Sequence, residues 1–272
     1  MAQPDITYSY ARFAIALPAD HLLPAYQAQY RLYDRFLPHL ASMLAPGDLV
    51  VDVGANCGDS LAAMADANPS LAFVCAEPDE TFFGYLERNA ETVRQASPDV
   101  RIELHRTLVG KAVKASGLAG VGGTRHAVIG GECTIPTRPL DEIVRGRSVR
   151  LLKSDVDGFD YDVLVSAEEV IATCAPLLYF ECQLDHLFQK SGYLRAFEAL
   201  LGHGYRFGFF DNFGEFVCAT GDVHQIGQLL EYLWRQNTGH ATRTFYYYDV
   251  LAVAPTDAAL IDDAVGLYRL GT

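Results

Sequence analysis

Apolar positions along the 272-residue chain fall into two alternating periodicities. Between Ala25 and Leu44, the residues Tyr26, Tyr30, Tyr33, Phe36, Leu37, Leu40 and Leu44 recur at the spacing of one helix face, and the pattern stops at Pro46-Gly47. Pro38 is expected to kink this helix or divide it. Residues 1–46 therefore read as a helical extension in front of the domain proper, 47–272. Short apolar runs then alternate with longer helical patterns. A strand is expected at Leu49–Val53, a helix at Ser60–Ala67, a strand at Ala72–Ala76, a helix at Glu80–Gln95 and a strand at Arg101–Val109. The stretch Gly110 to Gly131 is glycine-rich, lacks a clear period and reads as a loop or irregular strands at the rim. The alternation resumes with helix Leu140–Arg145, strand Arg150–Ser154, helix Tyr161–Ala172, strand Leu177–Glu181 and helix Gly192–Gly202. Tyr205–Asp211 and Thr244–Ala254 are β-rich and flank a helix at His224–Arg235, which suits an antiparallel pair closing one sheet edge. Strands alternating with crossover helices predict a parallel α/β sheet.

Composition narrows the partners. Acidic residues outnumber basic ones 34 to 21, a net charge of -13, so the field repels phosphate backbones and anionic lipid. Neither nucleic acid nor membrane is expected as a partner. No leader-like or bilayer-length apolar stretch occurs, and a cytoplasmic location is expected. The six cysteines show no CxxC pair and several sit inside apolar runs, as reduced, buried thiols do.

The strongest chemical signal is Val50 to Asp59, VVDVGANCGD. Open α/β sheets bind ligands at strand carboxyl ends, and the first strand-to-helix turn is the usual place. Here Gly54-Ala55-Asn56-Cys57-Gly58 is spaced GxxxG, where a dinucleotide loop would read GxGxxG. Asp52 precedes it, and a carboxylate disfavours a pyrophosphate but favours a ligand ammonium. It either meets a cationic ligand or orders the turn. The second strand ends in Cys75-Ala76-Glu77-Pro78, and Glu77 follows Gly54 by 23 residues. At that distance an acid in such folds reaches ribose hydroxyls. The two signals together point to an adenosine-containing ligand.

The segments VVDVGANCGDS, AEPDETFFGYLERNA, RPLDEI and LLKSDVDGFDYDVL, taken in order over roughly Gly47 to Glu181, resemble the FkbM-type family of S-adenosylmethionine-dependent methyltransferases. The resemblance implies a class I, Rossmann-like α/β fold, with a seven-stranded, mostly parallel sheet and helices on both faces. It also implies O-methylation, since members mostly methylate hydroxyls of natural products and sugars. By this resemblance Asp52, Gly54, Ala55, Asn56 and Gly58 would hold the methionine part of S-adenosylmethionine. Glu77 would lie at the ribose, Pro78 beside it would also touch the cofactor, and Arg106, Thr107 and Leu108 would lie near the adenine. The chain departs from the family where the usual glutamate of the fourth-strand motif is Asp157 and where the acid after Gly158 is Asp160.

Lys153, Asp155 and Asp157 at the end of that strand occupy the place where acceptor meets cofactor. Either acid is a candidate general base, with Asp157 favoured because strand alternation would set all three on one face, Asp157 furthest out. Asp155 and Lys153 alternatively form a structural ion pair. A magnesium ion held by Asp155, Asp157 and Glu181 or His186 is a further option, although no spacing fixes a complete ligand set. His186 is also a candidate base. Phe207, Phe209, Phe210, Phe213, Phe216 and Tyr246–Tyr248 suit either a substrate pocket or core packing. The expected substrate is a small or glycosylated molecule. Two other functions fit the loop: an adenosyl-binding regulatory pseudoenzyme and a nicotinamide-dependent oxidoreductase.

Overall fold

A computed structural model describes residues 4–111, 115–119, 126–129, 135–239 and 242–270. The chain opens with an antiparallel hairpin, β1 (Ile6–Ser9) and β2 (Ala14–Leu17), followed by two short helices, α1 (Leu23–Gln29) and α2 (Phe36–Ser42). The extension is thus not helical throughout. Its helical stretch is interrupted at Tyr30 to Arg35 rather than at Pro38, with Asp34 in left-handed backbone at φ 54°. Pro38 sits in the first turn of α2, where its missing N–H breaks no intrahelical bond.

Next come β3 (Leu49–Val53), α3 (Asp59–Ala67), β4 (Ala72–Ala76), α4 (Glu80–Ala96) and β5 (Arg101–His105), as the alternation predicts except that the strand expected over Arg101–Val109 ends at His105. A two-residue strand β6 (Leu108–Val109), a hairpin of β7 (Ala115–Ala119) and β8 (His126–Ile129), and a short β9 (Thr137–Arg138) follow. The expected rim loop therefore contains a hairpin, while 112–114, 120–125 and 130–134 lie outside the described residues. After α5 (Leu140–Ile143) and β10 (Val149–Ser154), the helix expected over Tyr161–Ala172 is two, α6 (Asp160–Val165) and α7 (Glu168–Cys174). The chain continues through β11 (Leu177–Gln183), α8 (Leu187–Gly202), β12 (Arg206–Asp211), β13 (Phe216–Thr220), α9 (Val223–Gly239) and β14 (Tyr247–Val253) to α10 (Leu260–Leu270).

The main sheet has eight strands, one more than expected, in the order β13-β12-β14-β11-β10-β3-β4-β5. From β11 to β5 every pairing is parallel, whereas β14 is inserted antiparallel between β11 and β12. The eighth strand is β13, antiparallel to β12 at the edge. Alternate residues feed two cores. Val50, Cys75, Leu151, Leu177 and Leu251 face the extension with α2, α3, α4 and α10; Val51, Val74, Leu152, Leu178 and Val250 face α6 to α9. Both faces are covered, which is why the strands read as nearly continuous apolar runs. Helix α10, not anticipated, docks on α2: the Tyr268 ring meets Phe36 at 5.1 Å and its hydroxyl donates to the Leu32 carbonyl at 3.0 Å.

Strand order reverses between β3 and β10: the chain moves outward from β3 to β4 and β5, then crosses back. A crevice at the carboxyl ends of these two strands follows from that reversal. Because β14 runs antiparallel, its first residues lie at the same end, and Glu181 of β11 pairs across from Asp249. Cys57, Cys75 and Cys182 are buried, and the described cysteines are free thiols. Cys133 lies outside the described residues. No described helix is long and apolar enough to cross a membrane.

Candidate active site

A cavity of about 740 Å³ opens at this switch point, between the loop after β3 and the loop after β10. The first loop is shaped by its glycines. A Cβ on Gly54 (φ 72°) would lie 1.9 Å from the Asp155 carbonyl oxygen, so only glycine permits the two loops to meet. Gly58 (φ 83°) caps α3, and a Cβ there would meet Leu86 at 2.9 Å. Gly54 and Asn56 line the cavity; Ala55 packs in the core and Gly58 does not reach the cavity, so both shape the loop instead of contacting a ligand.

Asp52 is fully buried at 0% exposure and does not line the cavity. Its Oδ2 accepts from Ser60 Oγ at 2.6 Å, and its Oδ1 lies 3.0 Å from Lys153 Nζ. It therefore orders the turn. Lys153 also donates to the Gly54 carbonyl at 3.0 Å and lies 3.8 Å from Asp155. Burial opposes its charge, but Asp52 and Asp155 outweigh that penalty and hold the ammonium well above its ordinary range. Lys153, Asp52 and Gly54 thus join β10 to the β3 loop in one buried network.

Glu77 is buried on the cavity wall. Its Oε2 accepts from the Asn56 N–H at 2.9 Å and its Oε1 from the Asp79 N–H at 2.7 Å. Burial raises its carboxyl to about 7, although the two N–H bonds pull the other way. Each oxygen retains acceptor capacity, as a carboxylate offers about four lone-pair sites. Pro78, Thr107 and Leu108 line the same wall. Arg106 does not: it is exposed and pairs with Glu80 at 3.4 Å.

Across the cleft, Lys153, Asp155 and Asp157 all line the cavity, but not by the strand alternation expected. Strand β10 ends at Ser154, and Asp157 sits in left-handed backbone at φ 52°. Half of the Asp155 side chain, 52%, is accessible from the cleft, yet protein crowds around it. That enclosure and the nearby Asp52 and Asp59 push its carboxyl up against the pull of Lys153. Enclosure, Asp155 and Asp185 raise Asp157 to about 7. Asp160 is structural: it accepts from Ser154 Oγ at 2.6 Å and from the Tyr193 hydroxyl at 3.3 Å. His186 is outside the cavity. It caps α8, its backbone N–H donating to Gln189 Oε1 at 2.7 Å, and stacks on Phe188 at 5.3 Å.

The acids suggested for magnesium do not converge; among the described residues the grouping close enough for a metal is His21, Cys57 and Asp59, whose ligand atoms lie within 4.8 Å. The aromatic residues divide. Phe207, Phe209, Phe210 and Tyr248 are core, whereas Phe213, Tyr246 and Tyr247 line the cavity. Sequence reasoning missed the roof. Tyr10, His21, Tyr26, Tyr30, Tyr33 and Asp34 of the extension line the cavity from above. The roof is clipped to the glycine loop by Asn89, which bonds Ala16 at 3.0 and 2.8 Å and the Cys57 carbonyl at 2.7 Å.

The crystal structure of a methyltransferase FkbM from Methylobacillus flagellatus is 15% identical over 85% of this chain, with a TM-score of 0.43. The chain spans 58% of that protein's length. A S-adenosylmethionine-dependent methyltransferase from Agrobacterium tumefaciens is 8% identical over 94% of this chain and 71% of its own, TM-score 0.48. A putative transferase from Pyrococcus horikoshii is 10% identical over 92% and 72%, TM-score 0.49. No curated protein matches the sequence. The sequence profile of the methyltransferase FkbM domain matches residues 52–207, more than half of the chain and the whole span from Asp52 through Asp157 to β12. The chain therefore belongs to the FkbM methyltransferase family.

Proposed function

We propose that the protein is an S-adenosylmethionine-dependent O-methyltransferase acting on a hydroxyl of a sugar or natural product. The observation that carries this reading is one cavity with the GxxxG loop and Glu77 on one wall and Asp157 on the other. Its volume, about 740 Å³, lies in the range of ligand sites. The residues present fit the cofactor. Glu77, buried with acceptor capacity left on both oxygens, would take the two ribose hydroxyls. Gly54, Asn56 and Asp155 would hold the amino-acid end, and Pro78, Thr107 and Leu108 the adenine. The bound cofactor supplies a methyl group activated by its sulfonium.

The chain's own work is alignment and proton removal. The two walls and the extension over them would hold the acceptor in line, which supplies much of the rate. Asp157, poised at about 7, accepts the hydroxyl proton as general base. Lys153, spent on Asp52 and the Gly54 carbonyl, is a positioning residue. Transfer of labelled methyl from S-adenosylmethionine into an extract of the source organism tests the activity. Asp157→Asn should lower turnover by about 100-fold or more while leaving S-adenosylhomocysteine affinity within about twofold. Unchanged turnover would remove Asp157 from the mechanism, and absence of labelled product with the native protein would refute the assignment.

A further inference from the structure

The far wall of the cleft carries charge that the proposed methyl transfer does not use. Glu181, at 7% exposure, lines the cavity, and its Oε1 has no hydrogen-bond partner among the described residues. A buried acceptor left unpaired is unfavourable, and a ligand donor would relieve it. Directly across the strand pair stands Asp249, where an opposite charge would be the stabilising choice. Asp34, on left-handed backbone, lines the same cavity, and Asp155 and Asp157, which the methyl transfer itself uses, line it as well.

The basic residues of the lining answer this charge only in part: Lys153 and Arg35 pull on Asp34 and Lys153 on Asp249, but none forms an ion pair with Glu181 or Asp249 among the described residues. Among the described residues they are His21, Arg35, Lys153 and Arg243. Lys153 is committed to Asp52 and the Gly54 carbonyl; Arg243 pairs with Asp185 at 2.7 Å and lies over the Tyr246 ring. Arg35 is exposed beside Asp34. The acids do not gather at metal-binding distances among the described residues. The cofactor's own cations do not account for Glu181 and Asp249 either. Strands lie about 4.8 Å apart, so β11 and β14 stand roughly 10 and 14 Å from the glycine loop's strand.

We propose that Glu181 and Asp249, walled by Tyr33 and Tyr247, bind an ammonium group of the acceptor, which makes the substrate class an amine-bearing hydroxyl compound such as an amino sugar or aminocyclitol. Both tyrosines line the same cavity. Burial and the neighbouring Asp155, Asp157, Asp160 and Asp249 hold Glu181 well above its ordinary range, and an arriving positive charge opposes that shift. This inference rests on the methyltransferase reading. It adds which acceptors the cleft selects.

The test incubates the full-length protein with labelled S-adenosylmethionine and the extract, separates products from unreacted cofactor, and measures their charge by electrophoresis at pH 7 before and after N-acetylation. A labelled product that migrates as a cation and loses that charge on acetylation is expected. Glu181→Gln and Asp249→Asn should each lower incorporation about tenfold at limiting extract, with S-adenosylhomocysteine affinity moving less than twofold. Label confined to neutral or acidic product, or variants that transfer as the native protein does, overturns the inference and leaves the methyltransferase reading intact. Failure of the native protein to bind S-adenosylhomocysteine overturns that reading, and the inference with it.

Discussion

The two walls of the cleft hold buried acids in opposite ways. On the cofactor wall, Asp52 is matched by Lys153 and Ser60, and each oxygen of Glu77 receives a backbone N–H. On the acceptor wall, Glu181 keeps an unpaired oxygen and faces Asp249 across the strand pair, with Asp34 and Asp157 on left-handed backbone nearby. The first wall is preorganised around a fixed shape. The second stores unfavourable charge that a ligand of opposite sign relieves, the pattern in which a site gives up stability for function. Removing charge should therefore destabilise one wall and stabilise the other.

Lys153→Met gives the largest effect. It strands the buried Asp52 carboxylate, and breaking such a pair from one side costs about 3–5 kcal/mol, read as a fall in denaturant midpoint. Gly54→Ala follows. Its Cβ would collide with the Asp155 carbonyl at a positive φ, costing about 1–3 kcal/mol of strain and lowering S-adenosylhomocysteine affinity by about 100-fold in calorimetry. Glu77 supplies a pH signature. Its carboxyl stands at about 7 in the free protein, and hydroxyl donors would favour the charged form and lower that value. A proton then leaves on binding, so affinity should rise with pH, by up to about tenfold per unit, and level off above about 7. Glu77→Gln should flatten this profile.

Glu181→Gln gives the smallest effect, with reversed sign. In the native state the carboxyl is held above its ordinary value, so above that value the unfolded chain binds fewer protons and stability falls as pH rises. The variant removes this slope. It should melt a few degrees higher at pH 8 and nearly the same at pH 5. A lower melting temperature at pH 8 would mean that Glu181 is satisfied in the native protein, and the contrast between the walls would fail.

The cofactor wall was legible because its parts are close in sequence: the glycine loop and Glu77 follow consecutive strands, and the switch point orders them. Local proximity also misled. Arg106 is adjacent to Thr107 and Leu108 in sequence, but it lies past the end of β5 and pairs with Glu80 outside the cavity. His186 comes three residues after β11, yet the start of α8 uses it as a cap. The acceptor wall joins Asp34, Asp157, Glu181 and Asp249, which only the tertiary fold unites. Asp34 was hidden inside a helical spacing that the chain breaks at Tyr30 to Arg35. The hairpin β1–β2 has strands of four residues each with no strong turn signal in SYARF, so period-two alternation had little length in which to show.

Calorimetric titration of the native protein with S-adenosylhomocysteine, and separately with NAD, tests the central claim most directly. One S-adenosylhomocysteine should bind per chain, about 100-fold more weakly in Gly54→Ala, and NAD should give no heat beyond dilution. Binding of NAD without S-adenosylhomocysteine would contradict the account.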